Sequence, residues 1–299
     1  MGRPVYFSQD PENDKLAQDR LATAASRVGF DQIVFQLEPV AAALYFETML
    51  TIPQLVLVAD LGGGTTDLTL MKMSPEKVKT ANRHQDVLAT NGVYIGGDKF
   101  DSEIMRHKLV KYFGSEAKWS SYNKWMDMPV HIMSTICDWR EIPYLKGGME
   151  RRMIRELKHT SNDRDALERL EALIDEDLGF ALFQEIENAK TAISSKKSCL
   201  IKFKHSIIEI KELVTRLEFN QMIGKYLREI EKCLHELLYR ARVSVDDVDK
   251  VFLTGGSSNV PAVYELFAST IGSNKVQLGD ALTSVVAGLV LSSNMTSGT

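Results

Sequence analysis

The stretch LVLVADLGGGTTDLTLMK, residues 55–72, sets three consecutive glycines between two apolar, strand-like runs. Too few residues separate the runs for a crossover, so the spacing predicts a hairpin turning at Gly62-Gly63-Gly64. Glycines in a row let backbone N–H groups approach a ligand with no Cβ in the way, and a concave row of N–H groups suits a phosphate. No Gly-Lys-Ser/Thr follows, so this is not a Walker A loop, and a strand rather than a helix comes next, so it is not a dinucleotide fingerprint. A tight hairpin that uses glycine for turn geometry alone is the other reading.

Asp60 ends the first run, Asp67 stands early in the second, and Thr65 and Thr66 place hydroxyls beside the glycines. Carboxylates beside a phosphate repel it unless a cation lies between them, and Mg²⁺ held through carboxylates, water and phosphate oxygens is the common arrangement. The alternative is turn capping, in which each Asp accepts from local backbone N–H groups. A second glycine site, Gly255-Gly256-Ser257-Ser258, follows the apolar run KVFLT and precedes NVPAVYELF, a predicted helix with Pro261 in its first turn. Strand, glycines and helix start form a nucleotide-site layout and equally a plain strand-to-helix turn.

Along the chain, RPVYFSQDPEN reads as a short strand and turn, and DKLAQDRLATAASRVGF as a helix with Leu16, Leu21, Ala24 and Val28 on one side and Gly29 as its stop. QIVFQLEP reads as a strand ended by Pro39, and VAAALYFETML as a packed helix. From about Gly97 to Thr215 a mostly helical subdomain is expected, with Leu167, Leu170, Ile174 and Leu178 at helical spacing in a long helix or helical pair. SCLIKFKHSIIEI alternates as a hairpin does. Thr215-Arg216-Leu217-Glu218 is a capping box opening a helix that carries Phe219, Ile223, Leu227, Ile230 and Leu234.

The 299 residues, 44% hydrophobic, suffice for one large domain or two ordinary ones. Forty acids against 36 bases, a net charge of −4, leave no basic field for nucleic acid or an anionic membrane. No apolar run approaches the roughly 20 residues of a membrane helix. Cys137, Cys199 and Cys233 are widely spaced, which fits inert thiols in a reducing compartment, and a cytoplasmic location is expected. His84, His107, His131, His159, His205 and His235 lack metal-ligand spacing, and Trp119, Trp125 and Trp139 are expected to pack within the helical subdomain.

Five segments together resemble the seventy-kilodalton heat-shock (DnaK-type) chaperones of the actin-like ATPase superfamily: LEPVAAALYF, VADLGGGTTDLTL, GGDKFD, ENAKTAISS and LTGGSSNVPAV, in the family's order across nearly the whole chain. The nearest branch is the YegD-like one, which lacks a peptide-binding domain. The resemblance implies an α/β, actin-like (ribonuclease-H-like) ATPase fold in two lobes, with ATP/ADP and Mg²⁺ as cofactors and protein clients or cochaperones as partners. By position, Gly62, Gly63, Gly64 and Thr65 would hold the β- and γ-phosphates, and Asp60, Asp67 and Glu38 would arrange the magnesium waters. Asp60, Asp67, Glu38 and Thr65 would form the catalytic set. Glu187, Lys190 and Ser194 would meet the adenosine, as would Gly255, Gly256 and Ser257, while Thr191 stands where the family has an arginine on the adenine.

The resemblance also implies a division into 1–52 as a remnant of lobe I, 53–96 with 223–278 as the α/β core of lobe II, 97–222 as its helical subdomain, and 279–299 as a helix returning to lobe I. The family's opening strands, first phosphate loop and catalytic lysine precede the point that Met1 matches. Lobe I is therefore expected to be truncated at its N-terminus, hydrolysis to be impaired, and no peptide-binding domain to follow. The expected function is a chaperone-related ATP-binding protein; the alternative is a degenerate pseudo-ATPase or fragment that binds nucleotide weakly or serves as a partner surface. A sugar or acetate kinase of the same superfamily finds no supporting motif.

Overall fold

The structure, a computed structural model, describes residues 1–8, 10–78, 83, 85–122, 124–279 and 283–296. The chain opens with β1 (Gly2–Arg3), α1 (Pro11–Arg27), β2 (Gln36–Leu37), α2 (Glu38–Glu47), β3 (Gln54–Leu61), β4 (Thr66–Met73) and β5 (Val87–Val93). It continues with α3 (Gly97–Ile104), β6 (Lys118–Ser121), β7 (Lys124–Asp127), α4 (Val130–Thr135), α5 (Gly148–Thr160), α6 (Arg164–Asp175) and α7 (Gly179–Ser195). The last elements are β8 (Ser198–His205), β9 (Ile208–Thr215), α8 (Arg216–Ala241), β10 (Lys250–Thr254), α9 (Pro261–Ile271), β11 (Val276–Leu278) and α10 (Ser284–Thr296). Two compact units result, one from Met1–Gly97 with Lys225–Thr299 and one from Asp98–Gly224. His84 and residues 280–282 and 297–299 of the expected C-terminal helix lie outside the described residues. Among the described residues no helix is long and apolar enough to cross a membrane.

The first unit is built on a five-stranded sheet in the order β11-β10-β3-β4-β5. β10 runs parallel to β11 and β3, whereas β3, β4 and β5 are antiparallel neighbours. Val56, Leu57, Val58 and Ala59 on β3 are all fully buried, so successive residues on opposite faces are both covered. One face meets α2, whose Ala42, Ala43 and Phe46 join Val56, Val58, Met71, Met73 and Phe252 in a single cluster. The rings of Phe46 and Phe252 stack at 4.5 Å. α10 packs against α2 so closely that a Cβ on Gly288 would sit 1.7 Å from the Ala41 carbonyl oxygen.

Two expectations fail in this unit. QIVFQLEP pairs only through Gln36–Leu37, parallel to Gly2–Arg3, and Pro39 sits in the first turn of α2 instead of ending a strand. Proline tolerates that position because its missing N–H is one that the first helical turn leaves unpaired anyway. α1 starts earlier than the pattern suggests, at Pro11, because Asp10 caps it by accepting from the N–H groups of Glu12 and Asn13 at 2.8 and 3.1 Å. Its apolar side is not buried: Leu16 and Val28 are 46% and 75% exposed, and the buried residue of the helix is Ala25. Polar bonds fix the helix instead, chiefly an ion pair in which Arg3 Nη2 donates to both oxygens of Asp14 at 2.9 and 2.8 Å. Gly29 does close it, at φ +100°.

In the second unit Leu167, Leu170 and Ile174 lie buried on α6. The chain breaks at Asp177, φ 57°, before α7, so the pattern belongs to a helical pair. Two antiparallel hairpins, β6–β7 and β8–β9, interrupt the helices. The capping box is present: Thr215 N donates to Glu218 Oε2 at 2.9 Å and Glu218 N donates to Thr215 Oγ1 at 3.2 Å. The tryptophans divide. Trp139 packs edge-on against Phe180, but Trp125 is 60% exposed, because the short β6–β7 hairpin presents it to solvent. Cys137 and Cys233 are buried, which pushes their thiols up to about 11 and about 12 and keeps them protonated.

A buried ionic cluster ties α2 to the connection after β4. Glu47, 1% exposed, accepts from Arg83 Nη2 and from Ser74 N, and Arg83 Nε donates to Asp86. Removing one partner strands a buried charge, whereas replacing both with apolar groups removes the desolvation cost. Arg83→Met should therefore destabilise the protein by about 3–5 kcal/mol in urea unfolding. Adding Glu47→Leu should recover much of that loss; a double mutant as unstable as the single one would refute the pairing.

Candidate functional site

Parallel neighbours end on the same side of a sheet, so β3 and β10, aligned with Asp60 opposite Thr254, deliver their following loops side by side. Those loops are Gly62-Gly63-Gly64 and Gly255-Gly256. They are laced together through one acceptor, the Gly62 carbonyl, which takes bonds from Ser257 Oγ at 2.9 Å and Gly97 N at 3.0 Å. Gly62 N closes the hairpin onto Thr65 O at 2.9 Å.

The glycines serve two purposes. Gly255, at φ +82°, has no room for a side chain, since a Cβ there would meet Leu61 O at 2.3 Å and Asp60 Oδ1 at 2.7 Å. A Cβ on Gly96 would likewise strike Gly63 O at 2.5 Å. Gly64 and Gly256, by contrast, face open space with nothing within 4 Å of a Cβ. The first pair lets the loops touch, and the second leaves bare backbone toward whatever enters.

Three carboxylates gather beside the loops. Asp60 and Asp67 are direct cross-strand partners in the hairpin, 9% and 4% exposed, a placement that costs stability for like charges. Glu38, first residue of α2, is held over the Gly2 backbone, where a Cβ would come within 2.9 Å of its Cγ. Asp67 accepts from Val5 N at 2.8 Å and Thr65 Oγ1 at 2.7 Å. Burial still raises its carboxyl, opposed by those bonds and by the charge of Arg3. No donor among the described residues reaches the Asp60 carboxylate, which burial and then the charges of Glu38 and Asp67 push up to about 7. Glu38 is raised for the same reasons, burial first and Asp67 second.

Turn capping does not account for this arrangement, because the backbone donor on Asp67 comes from Val5, 62 residues away, and Asp60 caps no backbone group among the described residues. A buried carboxylate without donors, beside two further acids and open glycine backbone, suits a hydrated divalent cation and its anionic ligand. Among the described residues no group of three or more His, Cys, Asp or Glu side chains is placed to hold a metal directly.

The remaining predicted residues lie in the second unit, on α7. Glu187 is exposed, Ser194 Oγ donates back to Lys190 O at 3.1 Å, and Lys190 Nζ donates to the buried Asp101 at 2.7 Å. Lys190 thus already has a carboxylate partner. Sequence reasoning missed Val5, whose contribution is a backbone N–H that no side-chain pattern reveals. It also missed Gly92, where a Cβ would lie 2.9 Å from Asp67 Oδ1; a glycine inside the strand VLATNGV was the available signal.

The sequence profile of the family described as Hsp70 protein matches residues 4–128 and 157–298. The chain is 26% identical over 285 residues to the chaperone protein dnaK of Cyanidioschyzon merolae (strain NIES-3377 / 10D), covering 92% of this chain and 36% of that protein. It is 26% identical over 274 residues to chaperone protein DnaK of Metamycoplasma hominis, covering 89% and 35%. The chain spans about a third of the length of these relatives.

Asp60 makes the site sensitive to pH in a direction opposite to that of a paired carboxylate. Its folded pKa, about 7, lies above the ordinary 3.8, so the folded state holds the proton more tightly and loses stability as pH rises from about 4 to about 7. Asp60→Asn keeps the shape without the charge. It should match the parent near pH 4 and exceed it at pH 8 by on the order of 2–4 kcal/mol in metal-free urea unfolding. Equal stabilities at pH 8 would show that Asp60 is not strained by its surroundings.

Proposed function

The chain belongs to the Hsp70 family, and on that premise we propose that it is a chaperone-related, ATP-binding domain of actin-like ATPase type, of the YegD-like branch, that takes Mg-ADP and Mg-ATP at the paired glycine loops. The observation that carries the reading is the placement of Gly62–Gly64 and Gly255–Gly256 on adjacent parallel strands beside Glu38, Asp60 and Asp67. The two exposed glycine backbones, Gly64 and Gly256, have open space in front of them, as phosphate and nucleoside contacts need. In this reading Gly62, Gly63, Gly64 and Thr65 hold the β- and γ-phosphates, Gly255, Gly256 and Ser257 meet the adenosine side, and the three acids orient the water around Mg²⁺. The bound ion would offset the charge of phosphates and carboxylates together. Thr65, hydrogen bonded to Asp67, is positioned by it, and Val5 N–H fixes the other Asp67 oxygen.

Glu187, Lys190 and Ser194 as adenosine contacts rest on the ENAKTAISS motif. The division of the chain into residues 1–52, 53–96 with 223–278, 97–222 and 279–299 is part of the same proposal. Protein clients or cochaperones as partners and a cytoplasmic location rest on the relatives being named chaperones.

A second reading, a nucleotide binder without turnover that works as a partner surface, is favoured by one observation. Lys190 is engaged by Asp101, and Thr191 replaces the arginine of the family pattern, which weakens the grip on the base. Single-turnover hydrolysis of ATP separates the two: phosphate release abolished by Asp60→Asn supports the ATPase, and background release with retained binding supports the second reading.

Binding itself is tested by calorimetric titration with ADP. Affinity should fall by at least roughly tenfold when Mg²⁺ is replaced by EDTA, because the bare carboxylates then repel the phosphates, and Asp60→Asn with Asp67→Asn should blunt that dependence. Metal-independent binding in the parent would remove the acids from the site. Gly256→Val fills space that is empty in the structure, so it should weaken ADP by at least about tenfold while shifting stability by less than about 1 kcal/mol. Unchanged affinity in the folded variant would remove the second loop.

A further inference from the structure

Residues 4–8, between β1 and α1, are neither strand nor helix, yet side chains grip their backbone from both ends. Arg3 reaches forward to the carbonyls, Nε donating to Pro4 O at 3.1 Å and Nη2 to Val5 O at 3.4 Å. Asp14, in the first turn of α1, reaches back to the amides, its Oδ1 accepting from Phe7 N at 2.6 Å and Ser8 N at 3.4 Å. Tyr94 Oη donates to Tyr6 O at 3.3 Å. The two gripping side chains are themselves joined, since Arg3 Nη2 donates to both Asp14 oxygens, and the Arg3 guanidinium lies 5.0 Å over the Phe7 ring. Val5 N–H points the other way, to Asp67 Oδ1 at 2.8 Å.

Loop backbone commonly takes its hydrogen bonds from water; here side chains of the same unit replace it and fix the segment. Burial raises the Asp14 carboxyl, but the bonds from Arg3 and Phe7 N and the charge of Arg3 outweigh it and hold it below the usual range, so these bonds are charge-assisted at neutral pH. A purely structural role, tying down a helix whose apolar side is exposed, needs only the Arg3 pair. The bonds from Asp14 to Phe7 N and Ser8 N act on the segment instead, and the helix start has its own cap in Asp10. What the segment supports is Asp67. That carboxylate is held by Val5 N on one oxygen and by Thr65 Oγ1 on the other, in space that Gly92 leaves open: a Cβ on Gly92 would come within 2.9 Å of Asp67 Oδ1 and 3.6 Å of the Tyr6 ring. Thr65 belongs to the same hairpin as Asp67, whereas the place of Val5 depends on Asp14.

We propose that Asp14 is a positioning residue for the acid group: by holding residues 4–8 it delivers Val5 N–H to Asp67 and so sets the orientation of that carboxylate toward the hydrated cation. The inference rests on the nucleotide reading for what Asp67 faces, and on the bonds above for how Asp14 reaches it.

The test has a ligand-free arm and a loaded one. In the ligand-free protein, hydrogen exchange of the Val5 amide, followed by NMR, should be roughly tenfold or more faster in Asp14→Ala than in the parent. In calorimetric titration with ADP the same variant should lose roughly threefold or more of the Mg²⁺ dependence, taken as the ratio of affinities in Mg²⁺ and in EDTA, as the loss of an outer partner of a metal-facing group does. Asp10→Ala removes the cap of α1 and leaves the bonds of Asp14, so it controls for a helix that is merely loosened; it should hold both readouts near the parent values. Should Asp14→Ala fail to fold, Asp14→Asn, which keeps an acceptor and loses the charge facing Arg3, decides by smaller changes of the same sign. Unchanged exchange at Val5, or equal effects of Asp14→Ala and Asp10→Ala, would overturn the proposal. Fast exchange at Val5 with full Mg²⁺ dependence in Asp14→Ala, where Asp67→Asn removes that dependence, would also overturn it and leave the nucleotide reading standing. Metal-independent binding in the parent itself would sink both.

Discussion

Parallel hydrogen bonding between β3 and β10, from Lys250 opposite Val56 to Thr254 opposite Asp60, is the constraint on which the candidate site depends. The strands are almost 190 residues apart in sequence, so nothing local brings their glycine loops together; only this register does. A slip of one residue would turn every β10 side chain to the opposite face. It would take Phe252 from its stack on Phe46 and move Thr254 away from Asp60. The register is thus fixed by apolar packing on one face of the sheet, and the polar loops at its end inherit their positions. Ser257, bonded to Gly62 O, then holds the loops to one another, and Gly97 N at the start of α3 donates to the same oxygen.

The same geometry concentrates unfavourable charge. Burial raises all three carboxyls, Glu38 and Asp67 add to the rise at Asp60, and the hairpin that displays the glycines also sets Asp60 and Asp67 face to face. Departures from local consistency of this kind gather where a ligand is expected. The compensation is elsewhere in the unit, in the packing around the fully buried Ala41, Ala42 and Ala43 of α2, the Phe46–Phe252 stack and the Glu47–Arg83–Asp86 cluster. α2 joins the two regions: its first residue is Glu38 of the acid group and its last is Glu47 of the buried ionic cluster.

What the sequence disclosed was what repeats at short range. The β3–β4 hairpin, the Thr215–Glu218 box and the proline start of α9 all declare themselves within short stretches, by periodicity or by capping chemistry, whereas the same spacing left a long helix and the α6–α7 pair equally open. Pro39 misled because proline both ends strands and begins helices, and only the packing of the alanines behind it decides which. α1 misled because helical spacing of Leu16 and Val28 states that a helix has an apolar side, not that anything covers it. The partners of the acids were invisible for another reason: Val5 acts through its backbone, and Asp60 is distinguished by having no donor among the described residues.

The contact of Gly288 with Ala41 has a consequence for the order in which the polypeptide can acquire its structure. The Ala41 side of α2 emerges from a ribosome about 250 residues before the helix that seals it. At roughly 5–20 residues per second, that side stays uncovered for on the order of ten to fifty seconds of synthesis. β3 meets the same delay, since β10 follows it by almost as many residues. The half of the molecule that carries the glycine loops is therefore closed last at both its helical seam and its central strand pair. During its own synthesis the chain presents the kind of exposed apolar surface and open strand edge that holding proteins recognise.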